Sequence, residues 1–372
     1  MSETAPAPDQ VPGAPHPRET PRLFGQEAAE QAFLTAYASG RLHHGWLLTG
    51  PRGVGKATLA WRIARFLLAT PPQEDDGLFG APPPPQSLDI DPDHPVSHRL
   101  LAGSDPGLIA ITRSVNEKTG RLRDEIVVDD VRALNRFFGL SAAEGGRRVV
   151  IVDCADDMNV NAANALLKML EEPPARTTLL LISHRPSGLL PTIRSRCRTL
   201  RLTPLAAGDM AAALAQAGAP MPANTDHLAA LAAGSVGAAL RLTALGGLEI
   251  YDELIGLLGS LPRLDRPRAL ALAEAAAQRG ATDRFDLLLD LVDTAMARLA
   301  RTGATGTPPV PAAAAQEPET LLRLAPDAYR ARAWADAAAE ITARSRHGKA
   351  VNLDPAALVL DMVFKMQKTA AG

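Results

Sequence analysis

The sequence predicts an α/β phosphate-loop domain, built on a parallel five-stranded sheet with flanking helices and followed by an all-helical C-terminal half. From Leu23 to Pro204, short apolar runs alternate with helical patterns, which is typical of a parallel sheet with helical crossovers. After Pro204 the patterns are Ala- and Leu-rich and only helical. Of the 372 residues, 46% are apolar but only 4% are aromatic, so the core is expected to consist of small aliphatic side chains.

Five apolar runs define the predicted strands. They are Trp46–Leu48, Leu108–Ile111, Val149–Val152, Thr178–Ile182 and Thr199–Leu202. Behind the first strand, Leu59, Ile63 and Leu67 recur at helical spacing, which predicts an amphipathic helix over residues 57–69. The proline-rich insert 70–95 cannot continue that helix and is expected to be an irregular surface excursion.

Composition limits the class of protein. Lys and Arg together number 39 and Asp and Glu 41, and the net charge of −2 argues against DNA binding by bulk charge alone. Cys154 and Cys197 cannot form a disulfide framework or a four-thiolate zinc site, so a reducing, cytoplasmic location is expected. Residues 1–22 are rich in proline and lack the apolar region of a signal peptide, which predicts a disordered tail. No apolar run reaches the roughly 18 residues of a membrane span, so no membrane association is expected.

The strongest motif is a phosphate loop directly after the first strand. In such a loop, glycines let successive N–H groups face one anion and the lysine reaches the terminal phosphates. The predicted nucleotide-binding residues of the loop are Gly50, Gly53, Gly55, Lys56 and Thr58. Ala57 stands where the motif has the Ser or Thr that binds Mg²⁺, and Thr58 is turned about 100° away around the helix and cannot replace it. The alternative is a helix-capping glycine turn with a chance lysine.

A second nucleotide-site residue is Asp153, at the end of the strand Val149–Val152. A carboxylate in this place holds Mg²⁺ through water in phosphate-loop ATPases, although a turn residue at a strand end would look the same. The next residue is Cys154, where a hydrolysing enzyme usually has a Glu that orients the attacking water. A thiol with a pKa near 8.5 cannot act as a carboxylate base at neutral pH.

Arginines cluster before the last predicted strand, at Arg194, Arg196 and Arg198. Such a cluster is usually a solvated face, but a guanidinium also suits the γ-phosphate of a nucleotide held by a neighbouring subunit. No metal site is predicted, because the carboxylates and histidines of residues 89–98 lack the glycine and the final glutamate of a calcium loop.

These residues together resemble the AAA+ clamp-loader ATPases that serve bacterial DNA polymerase III. The resemblance covers about residues 23–242 and rests on five segments. They are Phe24-Gly25-Gln26, Gly40 to His44, Gly50 to Lys56, Asn164 to Pro174 with its Leu-Leu-Lys and Glu-Glu-Pro-Pro elements, and Ser195-Arg196-Cys197.

The resemblance implies a place in a hetero-pentameric ring, with motor subunits and a delta subunit, that loads the sliding clamp onto primer–template DNA. Arg196 matches the arginine finger that enters the ATP site of the adjacent motor subunit. Ser183 or His184 falls where the family has its sensor residue, and Gly237 stands where motor subunits have a lid arginine. The implied domains are a nucleotide-binding-like domain (23–204), a helical lid (205–245) and a helical collar (246–372).

Departures from the family pattern favour a subunit that does not hydrolyse ATP. Ala57, Cys154 and Gly237 replace three separate parts of the hydrolysing machinery, while Arg196 is kept. We therefore expect a component of a DNA-directed DNA polymerase complex with no required cofactor, which binds ATP or ADP weakly. Motor subunits have a four-cysteine zinc module in the region of insert 70–95, which here contains no cysteine, so zinc is not expected.

Two alternatives of other classes remain open. Lys56 and Asp153 favour an active AAA+ motor, such as a motor subunit of a clamp loader or a branch-migration helicase. The other alternative is a scaffold that binds partners and has no nucleotide role.

Overall fold

The computed structural model describes residues 8–11, 14–40, 42–70, 83–139, 146–220, 223–278, 280 and 282–372. The chain forms two compact units. One contains residues 1–218 and 234–237, and the other contains residues 219–233 and 238–372. Within the described ranges, no helix is both long and apolar enough to cross a membrane.

The first unit is built around the predicted sheet. Its strands are β1 (Gly45–Thr49), β2 (Leu108–Ile111), β3 (Arg148–Val152), β4 (Thr177–Ser183) and β5 (Arg198–Arg201). They lie in the order β2-β3-β4-β1-β5, and every neighbouring pair is parallel. Strands β1 and β4 are buried along their whole length. Burial on both faces is why these strands are continuous apolar runs rather than alternating ones, and the predicted fold class is confirmed.

Seven α-helices belong to the described part of the first unit. They are α1 (Glu27–Ala38), α2 (Lys56–Ala69), α3 (Pro95–Leu101), α4 (Val128–Gly139), α5 (Val160–Glu171), α6 (Pro191–Ser195) and α7 (Ala207–Gln216). Helix α2 follows the phosphate loop and contacts β1, β3 and β4. Helix α5 begins at a capping Asn159, whose side chain accepts a hydrogen bond from the Ala162 N–H, and it ends before Pro173 and Pro174. Side chains of α4 and α5 share one apolar core with β1, β3 and β4.

The N-terminal segment differs from its prediction. Residues 14–22, expected within a disordered tail, lie against α2. The ring of His16 is 6% exposed and meets the Trp61 ring edge-on at 5.5 Å between centroids. Arg62 and Arg65 of α2 donate hydrogen bonds to backbone carbonyls of the segment. Proline-rich composition predicts disorder only when no partner satisfies the backbone, and here these two arginines do so. Residues 1–7 and 12–13 lie outside the described part.

The proline-rich insert is described only in its second half, since residues 71–82 lie outside the described ranges. Residues 83–94 form neither a helix nor a strand, as expected. Leu88 is nevertheless buried, and the carboxylate of Asp89 accepts a hydrogen bond from Arg62 at 3.0 Å. The described half of the insert therefore lies on the folded unit.

The second unit is helical. Its helices are α8 (Thr225–Ala232), α9 (Val236–Leu245, whose first two residues belong to the first unit), α10 (Gly247–Ser260), α11 (Arg266–Ala276), α12 (Thr282–Thr305), α13 (Glu317–Leu324), α14 (Ala328–Ala350) and α15 (Pro355–Ala371). Helix α12 packs along α14, and α15 packs against α11 and α14. Trp334 is fully buried and donates its indole N–H to the carbonyl of Leu324. The all-helical character is confirmed, and the division into a lid (205–245) and a collar (246–372) stays a prediction.

A charged network is buried within the second unit. The Glu317 side chain, 1% exposed, accepts hydrogen bonds from the Tyr251 hydroxyl at 2.6 Å and from the Ala313 N–H at 2.6 Å. Arg298 donates to both carboxylate oxygens, at 2.6 Å from Nε and 2.9 Å from Nη2. Burial alone would raise the pKa of Glu317, but the hydrogen bonds from Arg298, Ala313 and Tyr251 bring it below its ordinary value.

Candidate functional site

The phosphate loop lies between β1 and α2 and depends on its glycines. Gly50, Gly53 and Gly55 have φ angles of +143°, +78° and +98°, a region that favours glycine. A Cβ at Gly50 would lie 2.4 Å from the carbonyl oxygen of Leu202, and one at Gly53 would lie 2.3 Å from the hydroxyl of Ser235. The loop therefore fits closely against its surroundings, in the strand–loop–helix context that the motif requires.

The residues at 234–237 support the loop from one side. Ser235 donates its hydroxyl to the carbonyl of Arg52 at 2.9 Å, and the N–H of Gly237 donates to the carbonyl of Gly53 at 3.1 Å. Gly237 is the position where the family resemblance would have placed a lid arginine. A side chain at Gly237 would start 3.0 Å from the Cα of Gly53, so this close backbone contact favours glycine.

Lys56 is the central residue of the predicted phosphate site. Its ammonium donates hydrogen bonds to the carbonyls of Gly50, at 2.8 Å, and Pro51, within its own loop. The residue is 3% exposed. Burial lowers the pKa of Lys56 to about 8, although the nearby carboxylate of Asp153 opposes this shift. A nucleotide phosphate would therefore have to compete with these carbonyls for the N–H donors of Lys56.

Asp153 directly follows β3. Burial and then the nearby charge of Asp9 raise the pKa of Asp153 to about 7, while Lys56 opposes this rise. Cys154 follows, 7% exposed, and its Sγ–H donates to Asp156 at 3.0 Å. Burial and the bond to Asp156 raise the pKa of the Cys154 thiol, so this residue is protonated at neutral pH and cannot serve as a general base.

Asp156 connects the end of β3 to the predicted sensor position. Its carboxylate accepts hydrogen bonds from the Ser183 hydroxyl at 2.7 Å and from the backbone N–H groups of His184, at 2.5 Å, and Arg185, at 3.2 Å. Burial would raise the pKa of Asp156, but the hydrogen bonds from Cys154, Ser183 and the two N–H groups lower it. Sequence spacing does not point to these partners of Asp156, because they lie 27 to 29 residues away along the chain.

Ser183 and His184 are therefore held by the protein itself. Ser183 is fully buried and its hydroxyl is engaged by Asp156. Burial, with the charges of Lys56 and Arg52, lowers the pKa of His184 to about 4, so the ring is neutral at neutral pH. Ligand-type atoms of Cys154, Asp156 and His184 all lie within 4.8 Å of one another. The Cys154 thiol keeps its proton and donates it to Asp156, and His184 is bonded to the same carboxylate only through its backbone N–H.

Gln26 joins the loop to the end of the sheet. Its amide N–H groups donate to the carbonyls of Val54, at 3.3 Å, and Thr203, at 2.7 Å, and its carbonyl accepts from the Thr203 N–H at 3.1 Å. The side chain is 4% exposed. The sequence offered Gln26 only as part of a family motif, and the structure gives it a role in holding the loop against Thr203, two residues after β5.

Arg196 lies at the other end of the strands. It follows α6 and precedes β5, and its side chain is 37% exposed. A Cβ at Gly45, the first residue of β1, would lie 3.0 Å from the carbonyl oxygen of Arg196. The phosphate loop follows the far end of the five-residue β1, roughly 16 Å away at about 3.3 Å per residue. The chain therefore does not bring Arg196 to its own phosphate loop.

The arginines around Arg196 have different surroundings. Arg194 is exposed, as a solvated face predicts. The Arg198 guanidinium lies over the ring of Trp46, 5.4 Å from its centroid. Arg196 donates from Nη1 to the carbonyl of Thr192 at 3.1 Å and pairs through Nη2 with Glu171 at 2.9 Å. Only Arg196 of these three is thus held by a carboxylate in the described part of the chain.

Several known proteins resemble parts of this chain. Residues 25–206 match the family model described as DNA polymerase III, delta subunit. DNA polymerase III subunit delta' of Pseudomonas aeruginosa is 40% identical over 228 residues, which are 60% of this chain and 64% of that protein. Subunit delta' of Escherichia coli K12 is 33% identical over 175 residues, 47% of this chain and 46% of that protein. Subunit tau of Salmonella typhimurium is 28% identical over 299 residues, 75% of this chain and 41% of that protein. The matched parts span less than two thirds of each of these relatives.

Proposed function

Because the chain is a homologue of the delta-prime subunits of DNA polymerase III, we propose that it is a non-hydrolysing clamp-loader subunit. In this role it supplies Arg196 to the ATP site of a neighbouring subunit. Its partners are motor subunits and a delta subunit in a five-membered ring in the cytoplasm. The ring then loads the sliding clamp onto primed DNA, where this chain meets DNA as one part of the assembly.

The observation that carries the proposal is the position of Arg196. It lies at the end of the strands opposite to the chain's own phosphate loop and is partly exposed, so it suits a nucleotide bound by another subunit. A guanidinium presents five N–H donors in a plane, which fits the oxygens of a γ-phosphate. Arginine fingers supplied in trans accelerate GTP hydrolysis by about 10³ to 10⁵.

The chain's own loop supports the other half of the proposal. Ala57 offers a methyl group where Mg²⁺ needs a hydroxyl, and Cys154 is a protonated thiol where a carboxylate base is needed. Lys56 is engaged by the loop carbonyls. The first two features oppose hydrolysis, and the third weakens phosphate binding. ATP or ADP therefore binds weakly and is not required as a cofactor.

The test replaces Arg196 by alanine in a ring reconstituted with motor subunits, clamp and primed DNA. We expect Arg196→Ala to lower the stimulated ATPase rate, because one site loses its transition-state cation. Arg194→Ala is the matched control, since it removes an exposed arginine two residues away and should leave the rate unchanged. Equal rates for wild type and Arg196→Ala would refute the finger assignment.

A second candidate function is an active AAA+ motor, which the retained Lys56 and Asp153 favour. Steady-state ATP hydrolysis by the isolated chain distinguishes the two. Turnover that Lys56→Ala abolishes would establish the motor, whereas a negligible rate supports the non-hydrolysing subunit. Thermal shifts with ATP or ADP, with and without Mg²⁺, measure whether the loop still binds nucleotide, and no shift would favour a scaffold for partners.

A further inference from the structure

The partner of Arg196 is a carboxylate at the end of α5. Glu171 is the last residue of this helix, and its Oε1 lies 2.9 Å from Nη2 of Arg196. Both side chains are partly exposed, at 49% and 37%. The sequence gave Glu171 no role beyond its place in the Glu-Glu-Pro-Pro element, and neither the phosphate loop nor the proposed finger accounts for it.

Helix electrostatics do not explain a carboxylate in this position. The C-terminal end of a helix carries partial negative charge and favours Lys, Arg or His. Glu171 and the following Glu172 therefore oppose the dipole of α5. A cation beside the helix end offsets this cost, and Arg196 is the cation paired with Glu171.

The backbones beneath the pair meet at one point of the sheet. A Cβ at Gly45 would lie 3.0 Å both from the Arg196 carbonyl oxygen and from the Leu170 side chain, the residue before Glu171. The ring of His44 also hydrogen-bonds to the Leu170 carbonyl at 2.9 Å. The start of β1 thus fixes the distance between the end of α5 and Arg196, so the ion pair joins two firmly anchored positions.

We propose that Glu171 is a positioning residue, which holds the guanidinium of Arg196 in the orientation that meets the neighbour's nucleotide. This inference rests on the proposed function of Arg196. Glu171 and the Thr192 carbonyl hold the two terminal nitrogens and thereby fix the plane of the guanidinium. One hydrogen on each terminal nitrogen and the Nε–H remain as donors to which the phosphate can bind. An arginine that is oriented in advance loses less rotamer freedom when the phosphate arrives.

The test is a double-mutant cycle in the reconstituted ring. The quantity measured is the part of the stimulated ATPase rate that Arg196→Ala removes. We expect Glu171→Gln to lower this Arg196-dependent part of kcat by about twofold to fivefold, with little change in KM for ATP. This factor corresponds to the interaction free energy of an exposed ion pair. Glu171→Asp should restore much of the loss, and Glu172→Gln, one residue along, should change nothing.

The double variant decides between a role through Arg196 and an independent one. If Glu171 acts through the arginine, adding Glu171→Gln to Arg196→Ala lowers the rate no further. The inference is overturned if Glu171→Gln leaves the rate unchanged, or if it lowers the rate equally with and without Arg196. An unchanged rate for Arg196→Ala instead refutes the proposed function itself. Equal thermal midpoints of the single variants establish that each is folded.

Discussion

Replacing Glu317 by glutamine should destabilise the helical unit strongly although the side chain keeps its shape. In the native protein each carboxylate oxygen accepts two hydrogen bonds. Oε1 receives those of Tyr251 and of Nε of Arg298, and Oε2 receives those of Nη2 of Arg298 and of the Ala313 N–H. Glutamine replaces one of these oxygens by an NH₂ group. That group is itself a donor, and in either place it would meet two other donors. The charge of Arg298 also loses its counter-ion within the fold.

The expected loss follows from these contacts. Removing one partner of a buried ion pair costs about 3 to 5 kcal/mol, and the oxygen that glutamine keeps favours the lower end, about 3 kcal/mol. Glu319→Gln is the matched control, because Glu319 lies exposed in the same first turn of α13. It removes the same favourable charge from the helix N-terminus and should cost no more than about 1 kcal/mol.

Hydrogen exchange measured by mass spectrometry on α10 and α13 reports the local free energy of opening, which avoids a two-state treatment of a chain with two units. Equal protection in Glu317→Gln and Glu319→Gln would refute the reasoning. The wild type adds a pH test. Because the pKa of Glu317 in the folded protein lies below its ordinary value of 4.5, the stabilisation is present above about pH 4.5 and is lost as the pH falls further.

Two further predictions concern the phosphate-loop region. Burial raises the pKa of Asp153 from 3.8 to about 7, so the folded state retains a proton that the unfolded state loses, and the contribution of Asp153 to stability should fall as the pH rises from 4 to 7. Between pH 5 and pH 7, urea unfolding should show the wild type losing on the order of 2 kcal/mol of stability relative to Asp153→Asn. The opposite contribution of His184, whose lowered pKa makes stability rise over the same range, is common to both proteins. An identical pH dependence in the two proteins would contradict the assigned burial. Gly50→Ala should cost about 2 to 4 kcal/mol, because it adds a contact of 2.4 Å with a backbone oxygen to the strain of positive φ. Gly40→Ala has a similar φ sign but open space around it and should cost only about 1 to 2 kcal/mol, so equal melting shifts would refute the steric part.

Local patterns were sufficient for the sheet and the loop. Strands β1 and β4 are short apolar runs whose burial on both faces requires that composition, and the glycine spacing of 50–55 reflects φ angles that other residues rarely adopt. The helix after the loop was predicted to within one residue of its start at Lys56. These features depend on neighbours in the chain, so a single sequence contains the information for them.

The N-terminal segment shows where composition is insufficient. Its prolines indicate disorder, yet Arg62 and Arg65 donate to its backbone carbonyls. These arginines lie more than 40 residues further along the chain. The composition of the segment does not indicate such partners, because a hydrogen bond across that separation exists only once α2 has folded.

The sequence by itself determined the fold class, the phosphate loop and the absence of the usual hydrolysing residues at positions 57, 154 and 237. All three depend on residue type and spacing. The tertiary structure alone decided how the remaining polar groups are used. It turned Lys56 toward the carbonyls of its own loop and made Asp156 the acceptor for Ser183 and its neighbours. It also placed Arg196 beside Glu171, at the end of the strands opposite to the phosphate loop. The physical reason is that hydrogen bonds and ion pairs depend on distances between residues remote in sequence, which only the packed strands and helices fix.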